Sequence, residues 1–105
     1  REPNLAVKFS LGWVLSKLES PTQRDAGIRL LTSLEDSNYE HLDDVSYALA
    51  MAHTCSGDLE AAQAHVCRLL RICPGHSKGT DLHGRIRRKM EEKREQRQNA
   101  GIAIA

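Results

Sequence analysis

The feature that most constrains the fold of this chain is a run of six residues at 57–62, Gly-Asp-Leu-Glu-Ala-Ala, followed by Pro74. The glycine permits a tight turn between two helices, and Asp58 can cap the helix that follows. Ala62 offers a small side chain where the two helices touch. Pro74 stops the second helix because proline has no backbone donor and clashes with the preceding turn. The run therefore predicts a hairpin of two antiparallel helices.

A second hairpin precedes this one at a spacing of 35 residues, close to the period of tetratricopeptide repeats. A glycine inside a helix costs about 1 kcal/mol relative to alanine, so Gly27 indicates that two helices approach closely there. The sequence predicts an all-α fold, a tetratricopeptide-like right-handed superhelical bundle of two hairpins with a C-terminal capping helix. The predicted structural positions are Trp13, Gly27, Leu31, Leu49, Ala62, Val66 and Pro74.

The chain length fits one domain, which we place at 1–98. Repeat one is predicted at about 5–38, repeat two at about 42–75 and the capping helix at about 78–97. The five helices are expected at 4–18, 23–34, 42–55, 59–73 and 78–97. In the first helix, apolar residues recur at helical spacing and are expected to face the core. They are Val7, Leu11, Val14, Leu15 and Leu18.

The charge of the chain is distributed unevenly. Residues 85–105 carry seven Lys/Arg and three Asp/Glu, whereas residues 1–84 carry eight and eleven. This basic end is interpreted as a solvated helix face, with a contact to anionic lipid as an alternative. Nucleic-acid binding is not predicted, because no aromatic residue interleaves with the basic ones. Residues 99–105, which are apolar or small after Asn99, follow the basic run as the start of a truncated membrane anchor would.

The concave surface of such a repeat is formed by the first helix of each hairpin, and it is the predicted partner-binding groove. Small residues there would let a partner backbone approach, while Tyr47 and Met51 offer adaptable apolar contacts. The predicted groove residues are Gly12, Ser16, Tyr47, Met51 and Thr54. Trp13 is expected to be a buried anchor of the first repeat. An exposed groove of this kind would also allow homodimerisation.

The sequence gives no support for catalysis or for a bound cofactor. No nucleophile and base can be paired by spacing, and no glycine-rich phosphate loop occurs. The five histidines and three cysteines lack the spacing of a zinc site, so no metal is predicted. The odd number of cysteines is interpreted as reduced thiols in a cytosolic setting.

Several segments resemble the mitochondrial fission 1 protein family. Phe-Ser-Leu-Gly-Trp-Val-Leu at 9–15 is similar to that family's Phe-x-Tyr-Ala-Trp-x-Leu, and Gly-Ile-Arg-Leu-Leu at 27–31 to its Gly-Ile-x-Leu-Leu. Tyr-Ala-Leu-Ala at 47–50 is similar to its Tyr-Tyr-Leu-x. The segment 59–66 is similar to its Tyr-x-x-Ala-x-x-x-Val, and 99–104 to the start of its membrane anchor. The chain departs from the family at Leu11, Gly12 and Leu59.

This resemblance implies a non-enzymatic, tail-anchored receptor on the mitochondrial outer membrane facing the cytosol, with peroxisomes as a second location. Its partner would be a dynamin-related GTPase, bound directly or through an adaptor. The alternative is a generic tetratricopeptide interaction module of a larger scaffold or co-chaperone. A co-chaperone groove would need a basic clamp for a terminal carboxylate, and the predicted third helix contains no Lys or Arg.

Overall fold

The computed structural model describes residues 4–104, with side chains over 4–100. Over this range the chain forms five helices joined by short connections and contains no strand, which confirms the predicted all-α, tetratricopeptide-like bundle. No helix within it is both long and apolar enough to cross a bilayer. Most of the predicted anchor start at 99–105 lies outside the described side chains. The helices are α1 (Leu5–Ser16), α2 (Pro21–Glu35), α3 (Leu42–Ser56), α4 (Leu59–Ile72) and α5 (Ser77–Ile104).

Local capping signals determine where the helices begin and end. Asn4 caps α1, since its Oδ1 accepts a hydrogen bond from the backbone N–H of Ala6 at 2.9 Å. Asp58 caps α4 as predicted, accepting from the N–H of Ala61 at 3.2 Å. Between α3 and α4, Gly57 adopts φ 88°, a left-handed conformation that favours glycine. Gly57 and Asp58, from which the hairpin turn was predicted, thus form that turn.

The helices form two layers. The most extensive contacts are those of α1 with α2 and of α3 with α4, and α2 also packs on α3 and α4 on α5. Smaller contacts join α1 to α3 and α3 to α5. This pattern places α1, α3 and α5 side by side in one layer, with α2 and α4 in the other. The first layer therefore carries the surface on which a binding site can form.

The two helices of the first hairpin cross at a pair of glycines, Gly12 and Gly27. A Cβ atom at Gly27 would lie 2.5 Å from the backbone N of Ser16 and 2.7 Å from the carbonyl O of Gly12. One at Gly12 would lie 3.0 Å from Cγ of Leu31. The close approach predicted at Gly27 is confirmed, and Gly12 is the other half of the same contact.

The buried core is aliphatic and lies in two clusters. The first joins the two hairpins, and the second joins the second hairpin to α5. No aromatic side chain in the described part of the chain is fully buried. The first cluster contains Leu31, Leu34, Val45, Ala48 and Leu49. The second contains Ala50, Ala62, Val66, Leu82 and Ile86.

The predicted core face of α1 is wrong. Val7, Leu11, Val14 and Leu18 are 63%, 51%, 55% and 36% exposed. The helix instead turns its small residues inward, because the glycine crossing requires the backbones of α1 and α2 to lie close together. The apolar residues at 3–4 spacing are therefore carried to the outer surface of the bundle.

Replacing Leu11 with alanine should change the free energy of unfolding by less than about 1 kcal/mol, because half of its side chain already contacts water. The same replacement at the fully buried Leu34 should cost several times more, since it leaves a cavity. Urea denaturation of the two variants measures the difference. A comparable loss in both would mean that Leu11 belongs to the core after all.

A polar cluster joins the end of α2 to α4. The Glu35 carboxylate accepts a hydrogen bond from Arg68 at 2.9 Å, and its Oε2 lies 3.7 Å from Nδ1 of His65. The ring of His65 stacks on that of His53 at 5.3 Å between centroids. Burial lowers the pKa of His65, the nearby Glu35 opposes this shift, and His53 and Arg68 add to it. The folded state thus favours the neutral imidazole.

This cluster should make the fold less stable in mild acid. Because folding lowers the pKa of His65, the unfolded chain binds a proton at this residue more readily than the folded chain does. The stability that the neutral imidazole contributes is therefore fully present above pH 6.5, the pKa of histidine in the unfolded chain. That contribution is lost as the pH falls through the lower, folded value. Thermal melts of the wild type between about pH 7.5 and pH 5.5 should show this loss, and His65→Gln should reduce it. An unchanged pH dependence in the variant would exclude His65 as its source.

Candidate partner-binding groove

All four aromatic residues of the sequence lie in one continuous stack on the layer formed by α1, α3 and α5. Phe9 stacks on Trp13 at 6.4 Å and on Tyr39 at 5.9 Å between ring centroids. Trp13 stacks on Tyr47 at 6.3 Å, and Tyr47 on the imidazole of His76 at 5.7 Å. These five residues are referred to below as the aromatic ladder.

The elements of the fold bring the ladder together from distant parts of the sequence. Phe9 and Trp13 are one turn apart on α1, and Tyr47 lies on α3. Tyr39 belongs to the connection between α2 and α3, and His76 immediately precedes α5. All five are partly buried rather than enclosed. Aromatic side chains are enriched in the centres of protein interfaces, where large rigid surfaces bind at low entropic cost.

Four of the five ladder residues, all except Tyr39, form one wall of an open cleft of about 330 Å³. Its rim carries opposite charges, with Asp44 at the start of α3 and Lys78 at the start of α5, both exposed. The ammonium group of Lys17 lies 3.9 Å from the centroid of the Trp13 ring, a cation–π contact. This cleft, lined by Phe9, Trp13, Asp44, Tyr47, His76 and Lys78, is called the groove.

His76 both stabilises the start of α5 and lines the groove. Its Nδ1 accepts a hydrogen bond from the backbone N–H of Gly79 at 2.9 Å, which caps the first turn of α5. In the neutral ring this leaves Nε2 as the N–H donor. The groove therefore contains a fixed donor beside an apolar surface.

Acidic residues accumulate next to the ladder at the start of α3. Partial burial, followed by the charges of Asp44, Glu40 and Asp43, raises the pKa of the Tyr39 hydroxyl. The hydroxyl thus remains a neutral donor at physiological pH. His41, Asp43 and Asp44 place ligand atoms within 4.8 Å of one another. The first turn of a helix favours carboxylates electrostatically, which explains this cluster without a metal ion.

The structure separates the predicted groove residues into three groups. Tyr47 lies in the groove wall. Met51 packs half-buried against the second core cluster, and Thr54 donates its hydroxyl to the carbonyl of Ala50 at 2.7 Å. Gly12 and Ser16 were predicted on the wrong surface, because both are buried where α1 crosses α2.

The predicted repeat positions differ in how far they are buried. Trp13, which was expected to be buried, is only half-buried and contacts both the first core cluster and the groove. Pro74 lies just beyond the last residue of α4. The remaining positions are fully or almost fully buried, namely Gly27, Leu31, Leu49, Ala62 and Val66.

Four ladder residues were not predicted as groove residues, namely Phe9, Trp13, Tyr39 and His76. A signal for Phe9 was present, since Phe9 and Trp13 share one face of a helix through their i, i+4 spacing. Tyr39 and His76 lie between helices, where no periodicity indicates which way a side chain points. Only the packing of the connections against α1 and α3 brings them into the stack.

No family model matches the chain. It is similar to the mitochondrial fission 1 protein of Candida albicans, with 30% identity over 80 residues. The chain is a distant relative of that protein. The match covers 76% of this chain and 52% of the fission 1 protein, so the chain spans about half the length of its relative. The relationship agrees with the repeat architecture and with the family resemblance in the sequence.

Proposed function

We propose that this domain is a non-enzymatic adaptor that holds a helical segment of a partner protein in its groove. The observation that carries the proposal is the aromatic ladder. The chain places none of its four aromatic side chains inside its aliphatic core and all of them on one open surface. The rings pack partly against the two core clusters, and the sides of Phe9, Trp13 and Tyr47 that line the groove are left uncovered.

The rim of the groove gives the bound segment a preferred direction. A basic residue of the segment would be attracted to Asp44, and an acidic residue to Lys78 and the N-terminal end of α5. Apolar residues on one face of the segment would cover Trp13 and Tyr47. This is the helix-in-groove mode of recognition, in which anchors at 3–4 spacing fill an apolar surface.

The distant relationship to the fission 1 protein supports a role in mitochondrial division. The partner would then be a dynamin-related fission GTPase or its adaptor, recruited to the cytosolic side of the mitochondrial outer membrane. A second location on peroxisomes is part of the same proposal and rests on the sequence resemblance alone. Attachment to the membrane is likewise part of this proposal and rests on the sequence resemblance alone.

A pull-down from a mitochondrial extract tests this proposal, with captured proteins identified by mass spectrometry. The wild-type domain should recover a dynamin-related GTPase or its adaptor, and Tyr47→Leu should recover much less. Val7→Ser is the matched control, because it also removes apolar surface but lies on the outer side of α1. Failure of the wild type to recover a division protein would contradict the cellular role. Equal recovery by Tyr47→Leu would place the binding site outside the groove.

A further inference from the structure

A second cleft lies where the start of α4 meets the second half of α5. It has a volume of about 240 Å³, and Leu59, Glu60, Met90, Lys93, Arg94 and Arg97 line it. We call it the C-terminal corner. The fifteen residues of α5 between Lys78 and Lys93 place it about 22 Å along the helix from the groove. It is therefore a separate site.

The α5 wall of the corner carries positive charge only. Met90, Lys93, Arg94 and Arg97 are spaced by three or four residues and share one side of the helix. The three glutamates of this segment do not line the corner. Glu92 and Glu95 lie with Arg85 and Arg88 along a different cleft, and Glu91 lies along that cleft and also along a third one, with Met90, Arg94 and Arg97. Among the described residues, no carboxylate lies within 4.0 Å of Lys93 or Arg97, and Arg94 has only an exposed contact to Glu91 at 3.9 Å. The corner thus contains cations without strong partners.

The floor of the corner is apolar, and its opposite wall is acidic. Leu59 and Met90 are each partly exposed, and Met90 also packs against the second core cluster. Methionine adapts its shape readily to a bound apolar group. Opposite α5, Asp58 uses its carboxylate to cap α4, while Glu60 is exposed at the rim. A ligand with carboxylates on one side only would suit this distribution of charge.

We propose that the C-terminal corner binds an acidic segment of a partner protein. One apolar side chain would rest on Leu59 and Met90, and carboxylates following it would pair with Lys93 and Arg97. Repulsion from Glu60 would fix the orientation, because it keeps the acidic side of the segment against α5. The proposal does not depend on what the groove binds.

Two other anionic partners fit the corner less well. A lipid bilayer is flat on this scale, whereas the corner is re-entrant and has the α3–α4 turn as its second wall. A nucleic acid would find no aromatic ring among the lining residues on which to stack a base, and Glu60 would repel its phosphates. An extended or helical peptide is narrow enough to enter between the two walls.

Fluorescence anisotropy tests the proposal with a short fluorescein-labelled peptide in which a leucine is followed by glutamates. The wild-type chain should bind it saturably, and should bind the version with glutamines in place of the glutamates much more weakly. Lys93→Gln/Arg97→Gln should weaken binding about tenfold or more. Arg85→Gln/Arg88→Gln is the matched control, since it removes the same charge from another side of α5 and should change the affinity by less than about twofold.

Several results would overturn the proposal. The first is that the wild type does not bind the peptide saturably. The second is that both double variants lose the same affinity for the peptide. The third is that the wild type binds phosphatidylserine vesicles or single-stranded DNA more tightly than the peptide. The methyl resonance of Met90 provides a measurement that needs no variant. It should shift on titration with the peptide, and an unchanged resonance during binding would place the peptide elsewhere.

Discussion

Gly27→Ala should destabilise the domain by about 3 kcal/mol, although alanine is the better helix former by about 1 kcal/mol. The new Cβ would lie within 3.0 Å of three backbone atoms of α1, contributed by Gly12, Leu15 and Ser16. Backbone cannot move aside as the end of a flexible side chain can. The two helices would have to separate, which would loosen the packing of the first hairpin.

Gly84→Ala is the matched control for this prediction. Gly84 is an exposed residue of α5, and a Cβ there would meet no atom within 4 Å. The replacement should therefore stabilise the domain by about 0.5–1 kcal/mol through helix propensity alone. Chemical denaturation measures both values. A Gly27→Ala variant as stable as the wild type would contradict the close crossing of α1 and α2, and with it the assignment of the buried face of α1.

Phe9→Leu/Tyr47→Leu should weaken binding of the groove partner by about tenfold or more. Rigid aromatic anchors at the centre of an interface commonly contribute 2 kcal/mol or more when truncated. Leucine keeps apolar contact with the core clusters on which both rings pack, so the loss should appear in binding before it appears in folding. Isothermal titration calorimetry with the captured partner gives the affinity, and circular dichroism verifies the fold.

The charged rim provides an independent comparison. Exchanging the charges through Asp44→Lys/Lys78→Glu leaves the net charge unchanged and touches only exposed side chains. It should reduce the affinity, because it reverses the preferred direction of the segment. Unaltered affinity in both double variants would show that the partner binds away from the groove.

The sequence predicts the second hairpin closely because its signals are local. The turn at Gly57 and the cap at Asp58 act within a few residues of where they stand in the chain. The close helix approach inferred from Gly27 was also correct. A glycine within a helix lowers the stability of that helix, so a contact with another helix is needed to explain it. The prediction of which face of α1 is buried was wrong, and the cause is not local. Its apolar residues have the spacing of a core stripe, but Gly12 and Ser16 allow the closer approach and so decide which face is buried.

The groove could be predicted only in part. Tyr47 follows from the helical spacing of α3 and from its place in the repeat. Tyr39 and His76 lie in connections, and their positions depend on how α2 and α4 return the chain to the first layer. The concentration of aromatic residues on one surface is a property of the assembled fold. No single segment of the sequence contains it.

The most direct test of the groove as the binding site is the fluorescence of Trp13, the single tryptophan of the chain. Trp13 is half-buried in the groove wall, so a helical segment bound there would shield its indole from water. Titration with the captured partner should shift its emission to the blue, and the shift should saturate at the stoichiometry found by calorimetry. Saturable binding that leaves the emission of Trp13 unchanged would show that the partner does not occupy the groove.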